Sequence, residues 1–327
     1  MNKKIGILGM GSYVPEKVLT NADLEKMVDT SDEWITTRTG IKERHIAAPD
    51  EFTSDLAVAA ARRAIADGNI NKDDISLIIV GTATGDYLFP STACLVQNKL
   101  GIKEAVGFDV SAACSGFIYG VEIARQFILT GKYKKALVIG AEKLSSITDY
   151  TDRNICVLLG DGAGACVLGE KHDNAYIMDS YMRVDGSCGN LLKLPAGGSA
   201  MPASHKTVDD HLHYMKMEGR DVFKRAVQVM CDSSLTVLDN CGLTADDINW
   251  FIPHQANIRI IKAIAKRLKI SMDRVYTNVD RFGNMSAASI PVALDEAVKN
   301  GIMKKGDRVL LVAFGAGFTW GSIILQL

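Results

Sequence analysis

The sequence predicts an α/β protein built from two copies of one unit, with two mixed, mostly parallel sheets covered by helices. Internal repetition is the first observation: NKDDISLIIVG at 71–81 is echoed by TADDINWFIPH at 244–254, with the same Asp-Asp-Ile in both. The strand-like segment KALVIGA is echoed by RVLLVAF at the same offset. This repetition divides the chain into a first half, residues 1–173, and a second half, residues 174–327.

The second observation is that short strand-like segments alternate with longer segments of helical spacing. This alternation predicts the strands and helices of the first half. Short apolar runs rich in β-branched residues predict strands near 5–10, 76–82, 105–110, 135–141 and 164–169. Longer runs with helical spacing predict helices near 53–67, 91–100 and 114–130. Strands that alternate with helices in this way are typical of parallel pairing.

The second half repeats this alternation. Strands are predicted near 176–184, 249–253, 274–277, 307–313 and 318–326. Helices are predicted near 217–241, 257–268 and 287–300. The segment 186–213 is rich in Gly, Pro, Ser and His, which predicts a long surface loop, and long loops in compact domains often serve a site or an interface.

Length and composition exclude several classes of protein. With 327 residues and 47% hydrophobic content, the chain is long enough for two cores of ordinary size. The formal net charge of −1 gives no electrostatic reason to expect nucleic-acid binding. No stretch approaches the roughly eighteen apolar residues of a membrane span, and the N-terminus has no cleavable signal, so a cytoplasmic location is expected.

Cysteine and histidine spacing gives no indication of a metal site. The seven cysteines are odd in number and lack C-x-x-C pairs, which argues against a disulfide framework and a zinc site. His211 and His213 have no third ligand nearby in sequence, so they are predicted to be ordinary surface residues. Gly9 and Gly11 lack the third glycine of a dinucleotide fingerprint, and Pro15 stands where its helix would run.

Cys114 is the candidate nucleophile. It lies in DVSAACSGFIYGVEIA at 109–124, where small residues lead into a long apolar helix. The N–H groups and the positive dipole end of a helix start favour a thiolate, so this cysteine is expected to be reactive. Because free cysteines are more often small core residues, the assignment needs support from the rest of the chain.

Two further residues occupy corresponding strand-to-helix turns. His254 ends a predicted strand in WFIPHQAN, and Asn284 lies in the turn DRFGNMSAAS. Taken alone, the histidine has a structural alternative and the asparagine would be read as a cap or turn residue. Because open sheets place their ligands at the carboxyl ends of strands, we expect the three turns to bring Cys114, His254 and Asn284 together.

With these residues in place, the chain resembles the condensing enzymes of the thiolase superfamily, in particular the β-ketoacyl-acyl carrier protein synthase III family. The resemblance covers nearly the whole chain and rests on TSDEWI and RTGI (30–41), FPSTAC (89–94), DVSAACSGF, TDR (151–153), GDGAGA, HQANIRI, GNMSAASIP and FGAGFTWG. Thiolases have a second cysteine where this chain has Phe314-Gly315-Ala316-Gly317, and elongating synthases have a histidine in place of Asn284. The resemblance implies a duplicated thiolase-like fold in αβαβα layers, with the nucleophile in the first half.

This family resemblance implies an acyltransferase that initiates type II fatty acid biosynthesis. An acyl primer would pass from acyl-coenzyme A to Cys114 and then condense with malonyl-acyl carrier protein, releasing CO₂ and giving 3-oxoacyl-acyl carrier protein. The backbone N–H groups of Cys114 and Ala316 would form the oxyanion hole, while His254 and Asn284 would hold the enolate. No metal or redox cofactor is required by this chemistry.

Substrate contacts follow from the resemblance by position. Trp34, Arg38 and Arg153 match residues that hold the coenzyme A nucleotide, with adenine stacked between the indole and a guanidinium. Phe89 matches a residue that crosses a homodimer interface and gates the partner's acyl pocket, and Arg220 stands where some relatives have asparagine. A carrier-protein dock, or alternatively an ordinary solvated face, is predicted for a basic group made of Lys224, Arg259, Lys262, Lys266 and Arg267.

Three other functions share part of this pattern. A cysteine hydrolase shares the chain order Cys-His-Asn, but the local cysteine signature and the duplicated pattern do not fit it. A non-catalytic subunit of the same fold would commonly have lost the nucleophile. A specialised relative that transfers acyl groups in secondary metabolism is not distinguished by sequence, and the primer preference stays open.

Overall fold

Thirteen strands are found among the residues that the structure, a computed structural model, describes: 3–171, 173 and 175–327. In chain order they are β1 (Lys4–Tyr13), β2 (Lys17–Thr20), β3 (Glu43–Ile46), β4 (Leu77–Gly81), β5 (Val106–Val110), β6 (Lys135–Glu142), β7 (Gly162–Lys171), β8 (Tyr176–Val184), β9 (Leu192–Lys193), β10 (Lys216–Met217), β11 (Trp250–Pro253), β12 (Arg308–Gly315) and β13 (Thr319–Gln326).

Eleven α-helices accompany these strands in the described chain. They are α1 (Asn21–Leu24), α2 (Asp32–Thr39), α3 (Thr53–Asp67), α4 (Thr92–Leu100), α5 (Gly116–Leu129), α6 (Arg153–Cys156), α7 (His205–Asp209), α8 (Gly219–Asn240), α9 (Ile258–Leu268), α10 (Val279–Phe282) and α11 (Ser289–Lys299). None of them combines the length and apolar character that crossing a bilayer requires, within the described residues. The predicted long helices are confirmed, with α5 beginning two residues later than expected.

Two main sheets organise the fold. The first has the order β1-β7-β6-β4-β5, in which β4 is parallel to both neighbours and β7 is antiparallel to both of its own. The second has the order β11-β12-β13-β8, with β11 and β12 parallel and the other pairs antiparallel. The mixed α/β class is confirmed. Parallel pairs are fewer than expected, partly because the three-residue turn joining β12 to β13 is too short for a parallel crossover.

The strands of the first main sheet all precede residue 172, and those of the second all follow residue 175. This separation agrees with the repetition in the sequence. The exact boundary between residues 173 and 174 stays a prediction, and residue 174 lies outside the described residues.

The strand predicted near 274–277 is wrong. This segment contains a single helical turn, Met272–Arg274, and one isolated bridge between Val275 and Phe251. The Tyr276 N–H donates to the Phe251 carbonyl of β11 at 2.9 Å, while the Tyr276 carbonyl accepts a hydrogen bond from the Gln255 side chain at 3.4 Å. The segment therefore pairs with β11 only at this one bridge, and the Gln255 side chain binds the next carbonyl.

Five layers result from the way the helices pack. Residues of α5 and α11, such as Phe117 and Leu294, share one core with residues of both main sheets, so these two helices lie between the sheets. Helices α3 and α4 cover the outer face of the first sheet, and α8 and α9 cover the second. The αβαβα arrangement is confirmed.

Helix α5 lies unusually close to β4. A Cβ atom placed on Gly81 would lie 2.5 Å from the carbonyl carbon of Gly116, a separation that a side chain does not permit. Glycine at these positions lets the start of α5 approach the carboxyl end of β4. Since Cys114 precedes α5 by two residues, this contact sets the position of the thiol.

Candidate active site

Cys114, His254 and Asn284 line one cavity with a volume of about 670 Å³. Cys114 precedes α5, His254 follows β11, and Asn284 lies between α10 and α11. The structure thus brings together three side chains that are far apart in sequence, as the strand-to-helix turns predicted. The other lining residues include Trp34, Arg38, Arg220, Phe223, Arg259 and Phe314.

Cys114 lies in a short turn of 3₁₀ helix, Ala113–Ser115, and not in the first turn of α5. Ala113 has a φ of +45°, a left-handed conformation that is rare for a residue with a side chain. The Ser115 hydroxyl donates to the Thr319 carbonyl at 3.1 Å, and the Thr319 hydroxyl donates to the Ala112 carbonyl at 2.8 Å. These two bonds fix the turn against the start of β13.

Burial raises the pKa of the Cys114 thiol to about 12, and the charge of Glu142 adds to this effect. A hydrogen bond from Ser286 and the cysteine's own backbone N–H act in the opposite direction but are weaker. The helix start was expected to favour a thiolate, and burial of the Cys114 side chain opposes that effect. The raised pKa favours the thiol form of Cys114 before a substrate binds.

His254 is 3% exposed and follows β11 directly. Its backbone N–H donates to the Val312 carbonyl at 2.8 Å, which ties the residue to β12. Burial lowers the pKa of the imidazole to about 4, so the ring is neutral at physiological pH. Its Nδ1 atom is buried without a hydrogen-bond partner in the described chain.

Asn284 is held by both its backbone and its side chain. Its N–H donates to the Leu158 carbonyl at 2.8 Å, and its carbonyl accepts from Gly160 at 3.0 Å. Its Oδ1 atom accepts the Ser286 N–H at 2.9 Å. Because that bond engages the amide oxygen, the amide NH₂ group is the end of the side chain available to donate to a ligand.

The turn that contains Ala316 lies against the Cys114 turn. A Cβ atom on Gly315 would be 2.7 Å from the Cys114 backbone nitrogen, so the two segments approach more closely than a larger residue would permit. Ala316 follows directly and begins the turn Ala316–Phe318. The two predicted backbone donors therefore belong to neighbouring turns.

The residues predicted to hold a nucleotide meet at the side of the same cavity. Trp34 and Arg38 line it, and the Arg38 guanidinium lies 4.7 Å from the centre of the Trp34 ring. The Arg153 guanidinium lies 5.3 Å from the same ring and also donates to the Asp29 carbonyl at 2.7 Å. An indole flanked by two guanidinium groups is a suitable surface for a planar, phosphate-bearing ligand.

The predicted basic group is exposed at the side of α8 and α9. Arg259 also lines the cavity and lies 5.9 Å from the centre of the Phe223 ring, so the group reaches the cavity. Arg267 is 3.7 Å from Asp232, which offsets part of its charge. The exposed members of the group are Lys224, Arg259, Lys262, Lys266 and Arg267.

Comparison with known proteins decides the family. Two models of the 3-oxoacyl-[acyl-carrier-protein] synthase III family match residues 108–186 and, for the C-terminal part, 238–327. The β-ketoacyl-[acyl-carrier-protein] synthase III of Caldanaerobacter subterraneus subsp. tengcongensis is 59% identical over 98% of this chain and 97% of its own. That of Clostridioides difficile is 55% identical over 100% of this chain and 99% of its own.

The chain belongs to the β-ketoacyl-[acyl-carrier-protein] synthase III family. The crystal structure of this synthase from Aquifex aeolicus has a TM-score of 0.92 and 48% identity, covering 99% of this chain and 100% of that one. The priming β-ketosynthase of the R1128 polyketide pathway has the same TM-score at 33% identity, covering 99% and 97%. As a member of the synthase III family, the chain is a condensing acyltransferase that initiates fatty acid synthesis.

Phe89 of this synthase lies on an exposed apolar segment before α4. It is 85% exposed and its neighbour Leu88 is 89% exposed, which is unusual for large apolar side chains. Among the described residues Phe89 does not line the cavity of its own chain.

Two residues of the synthase site were missed by sequence reasoning. Glu142 is a fully buried carboxylate at the end of β6, and Ser286 follows Asn284 by two positions. The signal for Glu142 was present, since a charged residue at the carboxyl end of an apolar strand is where a parallel sheet places functional groups.

The two histidines of the long loop are engaged by protein groups. His211 Nδ1 is 3.0 Å from Asp149, and His213 Nε2 is 3.0 Å from the Thr207 hydroxyl. No group of three or more metal-binding side chains is placed to hold an ion in the described part of the synthase.

Proposed function

We propose that this synthase III acylates Cys114 from acyl-coenzyme A and then condenses the acyl group with malonyl-acyl carrier protein. The observation that carries this proposal is the shared cavity, which is lined by the thiol, a neutral imidazole and an amide donor. With a nucleophile and two hydrogen-bond donors in one cavity, a single site can perform two consecutive reactions through a covalent intermediate.

In the first half-reaction the Cys114 sulfur attacks the thioester carbonyl, and coenzyme A departs. Negative charge develops on the carbonyl oxygen, which the backbone N–H groups of Cys114 and Ala316 would stabilise. The close approach at Gly315 supports this pairing of donors, because it holds the two turns together. Removal of one such donor typically costs about 10²–10³ in rate.

In the second half-reaction the malonyl group loses CO₂ and leaves an enolate. This oxygen needs hydrogen-bond donors rather than a base, and His254 and Asn284 would supply them. The lowered pKa of His254 supports this role, since a neutral imidazole donates without being a strong acid. The bond from Ser286 to the Asn284 oxygen also supports it, because the amide NH₂ then remains free to donate.

Substrates would arrive from the side marked by the guanidinium groups. Trp34, Arg38 and Arg153 would hold the coenzyme A nucleotide, and the basic group on α8 and α9 would dock the acidic carrier protein. The presence of Arg259 in both the basic group and the cavity lining supports a carrier protein placed so that its prosthetic arm enters the cavity.

We also propose that the synthase is a homodimer located in the cytoplasm. Strand β5 is an edge strand of the first main sheet, and the exposed residues Leu88 and Phe89 lead into α4, whose first N–H groups donate to Asp109 of β5. An unpaired edge beside exposed apolar residues favours pairing with a second copy, which would place Phe89 at the partner's acyl pocket. All seven cysteines are free, which favours a reducing compartment.

The test is the mass of the intact protein after incubation with a panel of acyl-coenzyme A thioesters. We expect an acyl adduct that is absent in Cys114→Ser, and the panel would reveal the primer preference. A stable adduct on the Cys114→Ser variant would contradict the assignment of the nucleophile. If no acyl-coenzyme A acylates the wild-type protein, the result would favour a specialised enzyme that receives its acyl group from a carrier protein.

A further inference from the structure

Asp149 lies between two segments that both line the active-site cavity. It is 5% exposed and comes just before α6, beside the lining residues Asp152 and Asn154. The second segment, residues 190–217, contains β9, α7 and β10 and supplies Leu192 and Met217 to the same cavity. We call residues 190–217 the loop wall. A carboxylate buried between the α6 segment and the loop wall can tie them together if both supply it with donors.

Each oxygen of Asp149 serves one of these two segments. Its Oδ1 atom accepts hydrogen bonds from the Thr151 N–H at 3.0 Å and from the Thr151 hydroxyl at 2.6 Å, which shapes the turn into α6. Its Oδ2 atom lies 3.0 Å from His211 Nδ1 and 3.8 Å from Lys216 Nζ, both in the loop wall. Because a carboxylate only accepts, the His211 Nδ1 atom carries the proton of this bond.

The loop wall has few other polar ties to the rest of the molecule. In the described chain, its remaining side-chain hydrogen bonds and ion pairs are internal, such as that between Lys206 and Asp210. One backbone bond, from the Met215 N–H to the Ile147 carbonyl at 2.9 Å, joins it to the segment before α6. Strands β9 and β10 have two residues each, and so short a pair contributes little stability. Asp149 therefore supplies the side-chain tie that holds this wall.

His211 is suited to this contact by its backbone and by its chemistry. It has a φ of +56°, a left-handed conformation that His, Asn and Asp adopt more readily than other residues with a side chain. Burial opposes the ionisation of Asp149, but hydrogen bonds from Thr151 and His211 lower its pKa to about 2. Around neutral pH the imidazole is therefore the member of the pair that titrates. The charged and titratable groups around the pair are Lys216, Tyr214, Asp210 and, on α6, Cys156.

We propose that Asp149 is a positioning residue for the coenzyme A thioester, acting through His211 and Lys216 to hold the loop wall in the arrangement that binds it. Protonation of His211 strengthens the tie, because an imidazolium adds charge attraction to the hydrogen bond. The apparent affinity for the thioester then follows the fraction of molecules whose loop wall is in place. This inference rests on the proposed use of the cavity for coenzyme A.

Calorimetric titration with coenzyme A at neutral pH tests the tie in wild type, His211→Asp and the double variant Asp149→Asn with His211→Asp. Aspartate tolerates the left-handed backbone, so the first change mainly places a second carboxylate beside Asp149. We expect the affinity to fall about tenfold, as for loss of a hydrogen bond to a charged group. In the double variant, the amide NH₂ at position 149 can donate to the carboxylate at position 211. Its affinity should return to within about threefold of wild type.

Two results of this titration would overturn the proposal. One is an unchanged affinity in His211→Asp, and the other is a double variant that binds no better than His211→Asp. Asp210→Asn is the matched control, because Asp210 is adjacent to His211 and pairs with Lys206 inside the loop wall. Its affinity for coenzyme A should match wild type.

His211→Asn isolates the charge of the imidazole. The asparagine amide places an N–H donor near the position of Nδ1 and tolerates the left-handed backbone, but it does not titrate. The affinities of wild type and this variant are compared from about pH 5.5 to about pH 8.5, and titration of the ligand phosphates cancels in their ratio. We expect a ratio near one at the alkaline end and about threefold tighter binding by wild type at the acidic end, since a half-exposed ion pair is weak. A ratio independent of pH would refute the role of His211 protonation.

Hydrogen exchange of residues 190–217 without ligand gives a measurement that does not depend on binding. Exchange should be faster in His211→Asp than in wild type and should slow again in the double variant; equal exchange in all three would refute the tie. In steady-state acylation, the loss in His211→Asp should appear mainly in KM, whereas a general loss of structure would lower kcat as well.

The positioning role and the proposed function can fail separately. If coenzyme A binds with the expected dependence on positions 149 and 211 but no acyl adduct forms on Cys114, only the acyl-carrier role is refuted. If Cys114 is acylated but the affinity for coenzyme A does not respond to these substitutions, only the positioning role is refuted.

Discussion

Gly315→Ala provides a steric test of the contact between the Cys114 turn and the Ala316 turn. Gly315 has an ordinary extended backbone, with a φ of −147°, so alanine adds no conformational strain. Its Cβ would, however, lie 2.7 Å from the Cys114 nitrogen, 2.9 Å from the Ala112 carbonyl oxygen and 3.1 Å from the Ser115 nitrogen. These are backbone atoms, which cannot rotate away as a flexible side chain can.

The expected loss of acylation rate follows from how far the two turns must move apart to accommodate the new Cβ atom. Ordinary contact begins near 3.4 Å, so the two turns must separate by 3.4 − 2.7 = 0.7 Å at the tightest point. A misplacement on the order of 1 Å in a catalytic arrangement can cost about a hundredfold in rate. We expect a loss of that order in acylation of Cys114, and a destabilisation of about 1–3 kcal/mol from overpacking.

The assay is stopped-flow or quenched acylation with saturating acyl-coenzyme A, read by intact mass, together with urea unfolding. Gly189→Ala is the matched control, because a Cβ there meets nothing within 4 Å, and we expect its acylation rate and stability to match wild type. An acylation rate in Gly315→Ala within about threefold of wild type would refute the reasoning, since loss of this geometry should cost far more. A drop in stability with normal acylation would refute it too.

Three further predictions concern the condensation reaction, the carrier protein and pH. His254→Ala or Asn284→Ala should impair malonyl decarboxylation far more than acylation, as measured by CO₂ release and by adduct mass; equal losses would contradict the separate roles. Lys266→Glu combined with Arg267→Glu should slow turnover with carrier protein but leave acylation from coenzyme A intact, and an unchanged rate would mean that the dock lies elsewhere. Because the His254 pKa is about 4 when folded and near 6.5 when unfolded, the unfolded chain binds more protons between these values. Stability from this group should therefore be complete above pH 6.5 and fall by about 3 kcal/mol as pH drops toward 4, an order-of-magnitude value. Urea unfolding of wild type and His254→Asn at pH 7 and pH 4.5 checks this, and an identical pH dependence in both would count against a buried neutral imidazole.

Particular elements show why some sequence predictions held and others did not. The long apolar helix after Cys114 was predicted from the helical spacing of its apolar residues, and α5 lies between the two sheets. The segment 274–277 has the β-branched composition of a strand, but it pairs with β11 at a single bridge, and the Gln255 side chain binds the Tyr276 carbonyl beyond it. Composition indicates how well a residue fits a sheet and does not indicate which partner reaches it.

The amino-acid sequence by itself determined the α/β class, the duplicated units and the turns that carry Cys114, His254 and Asn284, because periodicity and turn residues act locally along the chain. Only the tertiary structure decided the protonation of those residues. Burial makes Cys114 a resting thiol and His254 a neutral imidazole, and solvation is a property of packed surroundings rather than of neighbouring residues in sequence. The same reason kept Glu142 hidden, since its hydrogen bond with Ser286, 144 positions away in sequence, forms only in the folded chain.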